Sequence, residues 1–337
     1  MSMITVNPSG KFFESIAGES ILDAALRSGI MLKHGCRDGR CGDCRTSLEP
    51  PISPTAISYP AGLQLQASDL AGETILCCQA QTNQDLVLTA PEVTELDGIS
   101  IQKLVSRVLN KDLVSSDVVL LKLMLAPGSE FPYRAGQYVD ITLPNGVTRS
   151  YSMATQHVED NAIELHIRLK PNGVGTPYIF NELAQRKMVT IEGPFGSFYL
   201  RKTQASIILL ASGTGFAPIK AIIEQLIEEQ KIVNSTTRPV RLYWGGRCAE
   251  DLYMSTLCEQ WSNELSWFDY VPVVSDKTEN WSGRTGFVHH AIMEDFADLS
   301  LYEVYACGAP IVIESARNDL ISGYGLPAEN FYSDTFL

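Results

Sequence analysis

Three cysteines, Cys36, Cys41 and Cys44, stand at C-x4-C-x2-C spacing, and a Cys77-Cys78 pair follows later in the chain. This is the ligand spacing of a [2Fe–2S] cluster. It constrains the fold strongly, because a loop that wraps such a cluster must bring its backbone N–H groups close to sulfur. Gly35, Gly39 and Gly42 lie among the three cysteines. Glycine supplies both the close approach and the positive φ that such a loop needs. Zinc ribbons use paired C-x2-C knuckles, and here there is one. The fourth ligand is Cys77 or Cys78. Both fall in the strand-like run Thr74-Ile75-Leu76-Cys77-Cys78-Gln79, where neighbours face opposite sides, so only one points at the cluster.

The chain has 337 residues, too many for one core and enough for two or three domains. Apolar residues make up 45% of it, as in a globular protein. No stretch approaches the length of a membrane span, about 20 apolar residues. The opening Met1-Ser2-Met3-Ile4-Thr5 lacks the basic-then-apolar pattern of a secretion signal. The 8 cysteines are therefore expected as reduced thiols in the cytoplasm, not as a disulfide framework. A net charge of −13 argues against nucleic acid and anionic membranes as partners.

Residues 1–91 read as an α+β unit. Short strands around Ile4-Thr5-Val6 and Phe12-Phe13 precede a helix from Ser20, with Asp23 as capping-box partner and Gly29 as the C-terminal stop. The cysteine loop and a closing strand over 86–88 follow, and the polar stretch Pro91–Gly98 reads as a linker. Residues 99–200 carry short strands over 103–108, 118–124, 138–143, 164–169 and 188–192, separated by turns. That is the pattern of an antiparallel barrel. Over 203–337 the strands 206–211, 240–244, 270–274 and 304–307 alternate with helices, one of them over 289–296. Alternation predicts a parallel sheet with helices on both faces. His289 and His290 read as surface residues of their helix.

Several short motifs sit on this framework. Arg149-Ser150-Tyr151-Ser152 offers a cation for a pyrophosphate, an aromatic wall and a small hydrogen-bonding group, with Arg149 and Tyr151 on one strand face. The same residues also suit an ordinary exposed arginine and a half-buried tyrosine. Gly173-Val174-Gly175-Thr176-Pro177 opens a helix, with Thr176 as expected N-cap and Pro177 as first helical residue. Free N–H groups at such an end bind phosphate. Ser212-Gly213-Thr214-Gly215-Phe216-Ala217-Pro218 follows an apolar strand and lets a nucleotide approach the backbone. The serine fits there if its φ is negative. Gly245-Gly246-Arg247 follows the next strand, where Arg247 can meet a ribose phosphate and nearby Asp251 would repel one.

Together these motifs resemble the ferredoxin–NADP+ reductase superfamily, over essentially the whole chain. Within it they resemble the iron–sulfur flavoprotein reductases with an N-terminal ferredoxin domain. The resemblance implies a multidomain α+β and α/β chain. By this resemblance a β-grasp [2Fe–2S] domain is expected over 1–91, an antiparallel FAD-binding barrel over 99–200 and a parallel α/β NAD(P)H domain over 203–337. It implies an NAD(P)H-dependent oxidoreductase with a [2Fe–2S] cluster, FAD and NADH, NADPH being the second option.

By the same resemblance the ligands are Cys36, Cys41, Cys44 and Cys78. Ile75-Leu76-x-Cys78, with Asp85-Leu86-Val87-Leu88 after it, matches the family's fourth-ligand stretch, and Cys77 is its buried apolar neighbour. Arg149 would contact the flavin pyrophosphate, Tyr151 would pack on the isoalloxazine and Ser152 would approach its N5. His166 and Arg168 match the second flavin-binding strand, and Gly173, Gly175 and Thr176 the phosphate helix. Gly213, Thr214, Gly215 and Pro218 match the nicotinamide-dinucleotide loop. Cys307 and Gly308, in Tyr305-Ala306-Cys307-Gly308-Ala309-Pro310, would lie beside the reacting nicotinamide, and Phe336 near the flavin ring. The implied partner is an electron-accepting protein served by a monomer. It is the oxygenase component of a ring-hydroxylating dioxygenase or, alternatively, a dehydratase of 3,6-dideoxysugar synthesis acting on a CDP-hexulose. A non-enzymatic ferredoxin-type carrier is a further alternative.

Overall fold

A computed structural model describes residues 1–90, 99–156, 161–233, 238–276 and 281–336. The expected linker Pro91–Gly98 lies outside these. The chain divides into two compact units, Met1–Ile101 with Phe195–Ser197, and Gln102–Pro194 with Phe198–Leu337. Among the described residues no helix is long and apolar enough to cross a membrane.

The first unit contains β1 (Ser2–Asn7), β2 (Lys11–Ser15), α1 (Ile21–Arg27), β3 (Arg45–Leu48), β4 (Ile57–Ser58), α2 (Ala67–Leu70), β5 (Thr74–Leu76), β6 (Gln81–Thr82) and β7 (Leu86–Thr89). Five strands form one sheet in the order β2-β1-β7-β3-β5. Its centre is a parallel pair, Ile4 opposite Leu86 and Val6 opposite Leu88, all four side chains buried. Helix α1 lays Ile21, Leu22, Ala24, Ala25 and Leu26 into this core. Each large apolar side chain so buried is worth about 1.5–3 kcal/mol. Ser20 caps the helix, its Oγ accepting from Asp23 N–H and donating to the Asp23 carboxylate at 2.8 Å. Gly29, at φ +73°, stops it as expected.

The second unit begins with β8 (Gln102–Ser115), β9 (Val118–Leu125), β10 (Tyr138–Thr142), β11 (Thr148–Ser152), β12 (Ala162–Arg168), α3 (Gly175–Asn181) and β13 (Met188–Phe195). The sheet order is β11-β10-β13-β8-β9-β12. A bridge from Met153 to Leu165 joins its two edges, closing an antiparallel barrel around Val119, Leu121, Leu123, Val139, Ile141 and Ile191.

The rest of this unit comprises β14 (Ser206–Ser212), α4 (Phe216–Val233), β15 (Val240–Gly246), α5 (Ser255–Glu264), β16 (Phe268–Val274), β17 (Arg284–Thr285), α6 (Val288–Asp295), β18 (Tyr302–Gly308), α7 (Pro310–Tyr324) and β19 (Phe331–Thr335). All six strands run parallel in the order β17-β16-β15-β14-β18-β19. Along β14, Ile207, Leu209 and Ala211 enter the core on one face and Ile208 and Leu210 the core on the other. Burial on both sides explains the unbroken apolar run. The strand order reverses between β14 and β18, and the carboxyl ends of such a pair form the usual ligand crevice of an open α/β sheet.

Two readings of local structure are corrected. Helix α3 starts at Gly175 with Val174 as N-cap and no capping side chain. Thr176 is inside the helix, where its Oγ1 accepts from Lys170 N–H at 2.8 Å instead. That local turn outcompetes the cap, and Pro177 still falls in the first turn, where proline is tolerated. His289 is not on the surface: only 5% of it is exposed, because the first turn of α6 packs toward α7, where Asp319 takes its Nε2 at 3.2 Å. His290 is exposed as expected.

Candidate functional site

The cysteine loop has no regular structure between Gly35 and Asp43. Its path depends on left-handed backbone at Arg37, Gly39 and Gly42. Gly39 takes φ +84°, which demands glycine, and a Cβ there would also have to displace the Leu63 side-chain tip, 2.5 Å away. The sulfurs form two pairs. Cys36 and Cys41 exchange N–H···S bonds of 3.5 and 3.3 Å, and Cys78 N–H donates to Cys44 Sγ at 3.5 Å. The Cys41 thiol beside it lowers the Cys36 pKa to about 7, burial opposing. Cys41 is pushed far up by the same bond and by burial, as Cys44 is by Cys78 and burial.

Strand alternation does not separate Cys77 from Cys78, because β5 ends at Leu76 and the pair lies in a turn closed by Gln79 N–H to Leu76 C=O at 2.9 Å. The turn nevertheless directs them apart. Cys77 is fully buried near Thr46, its thiol raised to about 12 by desolvation, while Cys78 meets Cys44. Four sulfurs in two close pairs, with backbone N–H groups donating to them, match the donor set of a dinuclear iron–sulfur centre, which takes two thiolates on each iron.

In the second unit, cross-strand register places Arg149 opposite Ile141 and Tyr151 opposite Val139, which puts both on one face as expected. The Tyr151 hydroxyl is buried with no hydrogen-bond partner, and burial pushes its pKa up to about 12. A buried hydroxyl left unsatisfied by the protein is what a bound ligand would complete. The start of α3 sits against this strand: a Cβ on Gly175 would lie 3.1 Å from Arg149 Cγ. The structure thus brings Arg149, Tyr151, Ser152, Gly173, Gly175 and Thr176 into one neighbourhood. This is the arrangement of the donor set expected for a flavin dinucleotide.

The crevice between β14 and β18 holds the other motif residues. Ser212 has φ −122°, so serine is unstrained there, and Gly213 takes the left-handed φ of +56°. A Cβ on Gly215 would fall 2.0 Å from Cys307 C=O. Thr214 and Pro218 are buried beside it. Cys307 is fully buried, which raises its pKa and keeps it a neutral thiol. Phe336 N–H donates to Gly308 C=O at 3.2 Å, so the chain end lies against the same strand terminus. Arg247 is exposed, but its backbone N–H donates to Asp251 Oδ2 at 2.8 Å and its Nε lies 3.4 Å from that oxygen.

Sequence reasoning singled out His166, Arg168 and Asp251 but missed the bonds by which they tie the barrel to the parallel sheet within this unit. Arg168 donates to buried Asp251 at 2.8 Å, and its Nε lies 3.3 Å from Asp117 without hydrogen-bonding alignment. His166 is held between Glu164 (3.1 Å) and the Tyr253 hydroxyl (2.8 Å). An ionised Glu164 only accepts, so Nε2–H donates to it and Nδ1 accepts from Tyr253. Burial lowers the His166 pKa against the pull of Glu164, keeping this tautomer neutral. Burial alone would raise Glu164, but the bond from His166 and the charges of Lys220 and Lys122 hold it at about 2. Lys220 also donates to Ala154 C=O at 2.9 Å and to Glu224 at 2.6 Å. Trp244 stacks on Phe216 at 3.9 Å, and its Nε1–H donates to Gly213 C=O at 2.9 Å. No spacing rule links positions this far apart in the chain.

Three family models match in order: a 2Fe-2S iron-sulfur cluster binding domain over residues 4–82, an oxidoreductase FAD-binding domain over 106–199 and an oxidoreductase NAD-binding domain over 209–318. Together they define an NAD(P)H-dependent iron–sulfur flavoprotein oxidoreductase with a [2Fe–2S] cluster, FAD and NAD(H) as cofactors. The chain is 39% identical to the CDP-6-deoxy-L-threo-D-glycero-4-hexulose-3-dehydrase reductase of Yersinia pseudotuberculosis, over 99% of this chain and 98% of that one. It is 32% identical to reductase component 2 of a Comamonas terephthalate 1,2-dioxygenase, over 99% and 96%. The crystal structure of an Amycolatopsis cytochrome P450 reductase, GcoB, superposes with TM-score 0.82 at 28% identity, covering 100% and 99%. The chain belongs to the 2Fe-2S ferredoxin-reductase family and passes electrons from NAD(P)H through FAD and the [2Fe–2S] cluster to an acceptor protein.

Proposed function

We propose that Cys36, Cys41, Cys44 and Cys78 hold the [2Fe–2S] cluster, with Cys36 and Cys41 on one iron and Cys44 and Cys78 on the other. FAD is held by Arg149, Tyr151 and Ser152, with Gly173, Gly175 and Thr176 at its phosphates and His166 and Arg168 on the second strand. The nicotinamide dinucleotide is held by Gly213, Thr214, Gly215, Pro218, Arg247 and Gly308. When bound, FAD accepts a hydride from the nicotinamide and releases electrons singly, a chemistry that belongs to the cofactors. The residues supply position. Cys307, Ser152 and Phe336 line the reacting edge, and the buried neutral thiol of Cys307 excludes water there without carrying charge. Asp251 partly neutralises Arg247, which favours NADH over NADPH.

For the acceptor, the oxygenase expected from sequence and the dehydrase alternative both fit the family. We propose the dehydrase of a CDP-hexulose, carried by one observation: 39% identity over 99% of the chain to a reductase named for that dehydrase, against 32% to a dioxygenase reductase. The test is coupled turnover. Purified chain and NADH should drive a CDP-6-deoxyhexulose dehydrase to its deoxygenated product and leave a terephthalate oxygenase idle; the opposite result returns the acceptor to the oxygenases. The chain is further proposed to act as a cytoplasmic monomer, which light scattering and cell fractionation would check.

A further inference from the structure

Helices α6 and α7 bring together three groups that take no part in the sites above. His289 and His290 stand in the first turn of α6 and Asp319 on α7, and one ligand atom from each lies within 4.8 Å of the other two. The two imidazole centroids are 4.4 Å apart at 68°. His289 is 5% exposed; its Nε2 meets Asp319 Oδ2 at 3.2 Å, and its Nδ1 is buried with no hydrogen-bond partner. Few buried polar atoms stay unpaired in folded proteins. A neutral imidazole offers a lone pair to a metal. Phe287 stacks on His289 at 6.0 Å and meets His290 edge-on at 5.4 Å, walling one side. The exposure of His290 and Asp319 leaves the other side open to solvent.

We propose that His289, His290 and Asp319 form a binding site for a divalent late first-row transition metal, with Zn2+ as the physiological occupant. Two imidazoles and a carboxylate suit Zn2+, Ni2+ or Cu2+ and discriminate against Mg2+ and Ca2+, which prefer all-oxygen shells. Three protein ligands on zinc leave a fourth position for water. Small rotations of the exposed His290 and Asp319 side chains bring their ligand atoms to the metal. The ion would pin α6 to α7, the helix that leaves the Cys307–Gly308 strand end, and binding to the folded state alone would stabilise this half by mass action.

The test is calorimetric titration of Zn2+ into the full chain, cluster and flavin loaded, with cluster absorbance followed in parallel. Wild type should bind one Zn2+ per chain with cluster absorbance unchanged, and its Tm should rise. His290→Ala, at an exposed position, should fold normally, lose the Tm rise and weaken binding by at least about tenfold, as should Asp319→Asn. The proposal is overturned if wild type binds no Zn2+, if both variants bind as wild type does, or if binding bleaches the cluster, which would place the metal on the cysteines.

Discussion

The cysteine loop and the seam between barrel and parallel sheet are built by opposite means. In the loop three of the four sulfurs belong to side chains a few residues apart, and the backbone between them is irregular, turned by Arg37, Gly39 and Gly42. In the seam the groups that fix it (Glu164, His166, Lys220, Asp251 and Tyr253) arrive from three separate segments. A loop of the first kind is specified by spacing and fails outright when one ligand is lost. A seam of the second kind distributes its constraint and should degrade gradually.

Cys78→Ser should reduce bound iron from two per chain to near none, whereas Cys77→Ser, at a fully buried position whose thiol turns toward Thr46, should keep the EPR signal of the reduced cluster. Iron analysis with EPR of both variants checks this; the reverse pattern would move the ligand to Cys77. Cys307→Ala should slow flavin reduction by NADH at least about tenfold while changing NADH affinity little, because misplacement at the reacting edge affects the transition state more than binding. Stopped-flow reduction at the wild-type rate would make Cys307 a packing residue only.

Glu164→Gln leaves Lys220 7% exposed without its full complement of charge. Removing one partner of a buried pair costs about 3 kcal/mol, and the Glu224 contact should reduce that to about 1–2 kcal/mol. Denaturant melts followed by tryptophan fluorescence measure it, and a loss as complete as that of Cys78→Ser in the cluster would erase the contrast drawn above. A smaller, pH-dependent effect lies in the first unit. His34 is fully buried, its Nδ1–H donating to Leu32 C=O at 2.7 Å and its Nε2 accepting from Gly196 N–H at 2.9 Å. Burial lowers its pKa to about 4. The folded state thus resists a proton that the unfolded state takes up near pH 6.5. The stability this confers is present above that pH and is lost between about 6.5 and 4, by at most about 3 kcal/mol. His34→Gln should flatten the pH dependence of cluster loss on heating over that window. Parallel profiles for the two proteins would contradict it.

What was legible in the sequence follows the same division. The irregular cysteine loop, the barrel strands and the strand-helix alternation could be read because each is written in local spacing or periodicity. Even there, tertiary geometry corrected the details: Thr176 gave up its capping role to a turn with Lys170, and His289 was drawn under α7 by Asp319. The cysteine pairing, two and two, and the His166–Tyr253 and Arg168–Asp251 bonds could not be read. Apart from Cys36 with Cys41, they join residues more than 30 positions apart, and nothing in either local segment marks its partner.

The central claim is that electrons leave through the cluster bound by Cys36, Cys41, Cys44 and Cys78. The most direct measurement compares full-length wild type with Cys78→Ser, loaded with FAD, in NADH oxidation by two acceptors. Ferricyanide takes electrons from the flavin, so both proteins should reduce it at similar rates. Cytochrome c should be reduced rapidly by wild type and barely by the cluster-free variant. Undiminished cytochrome c reduction by Cys78→Ser would contradict the account and place the exit at the flavin.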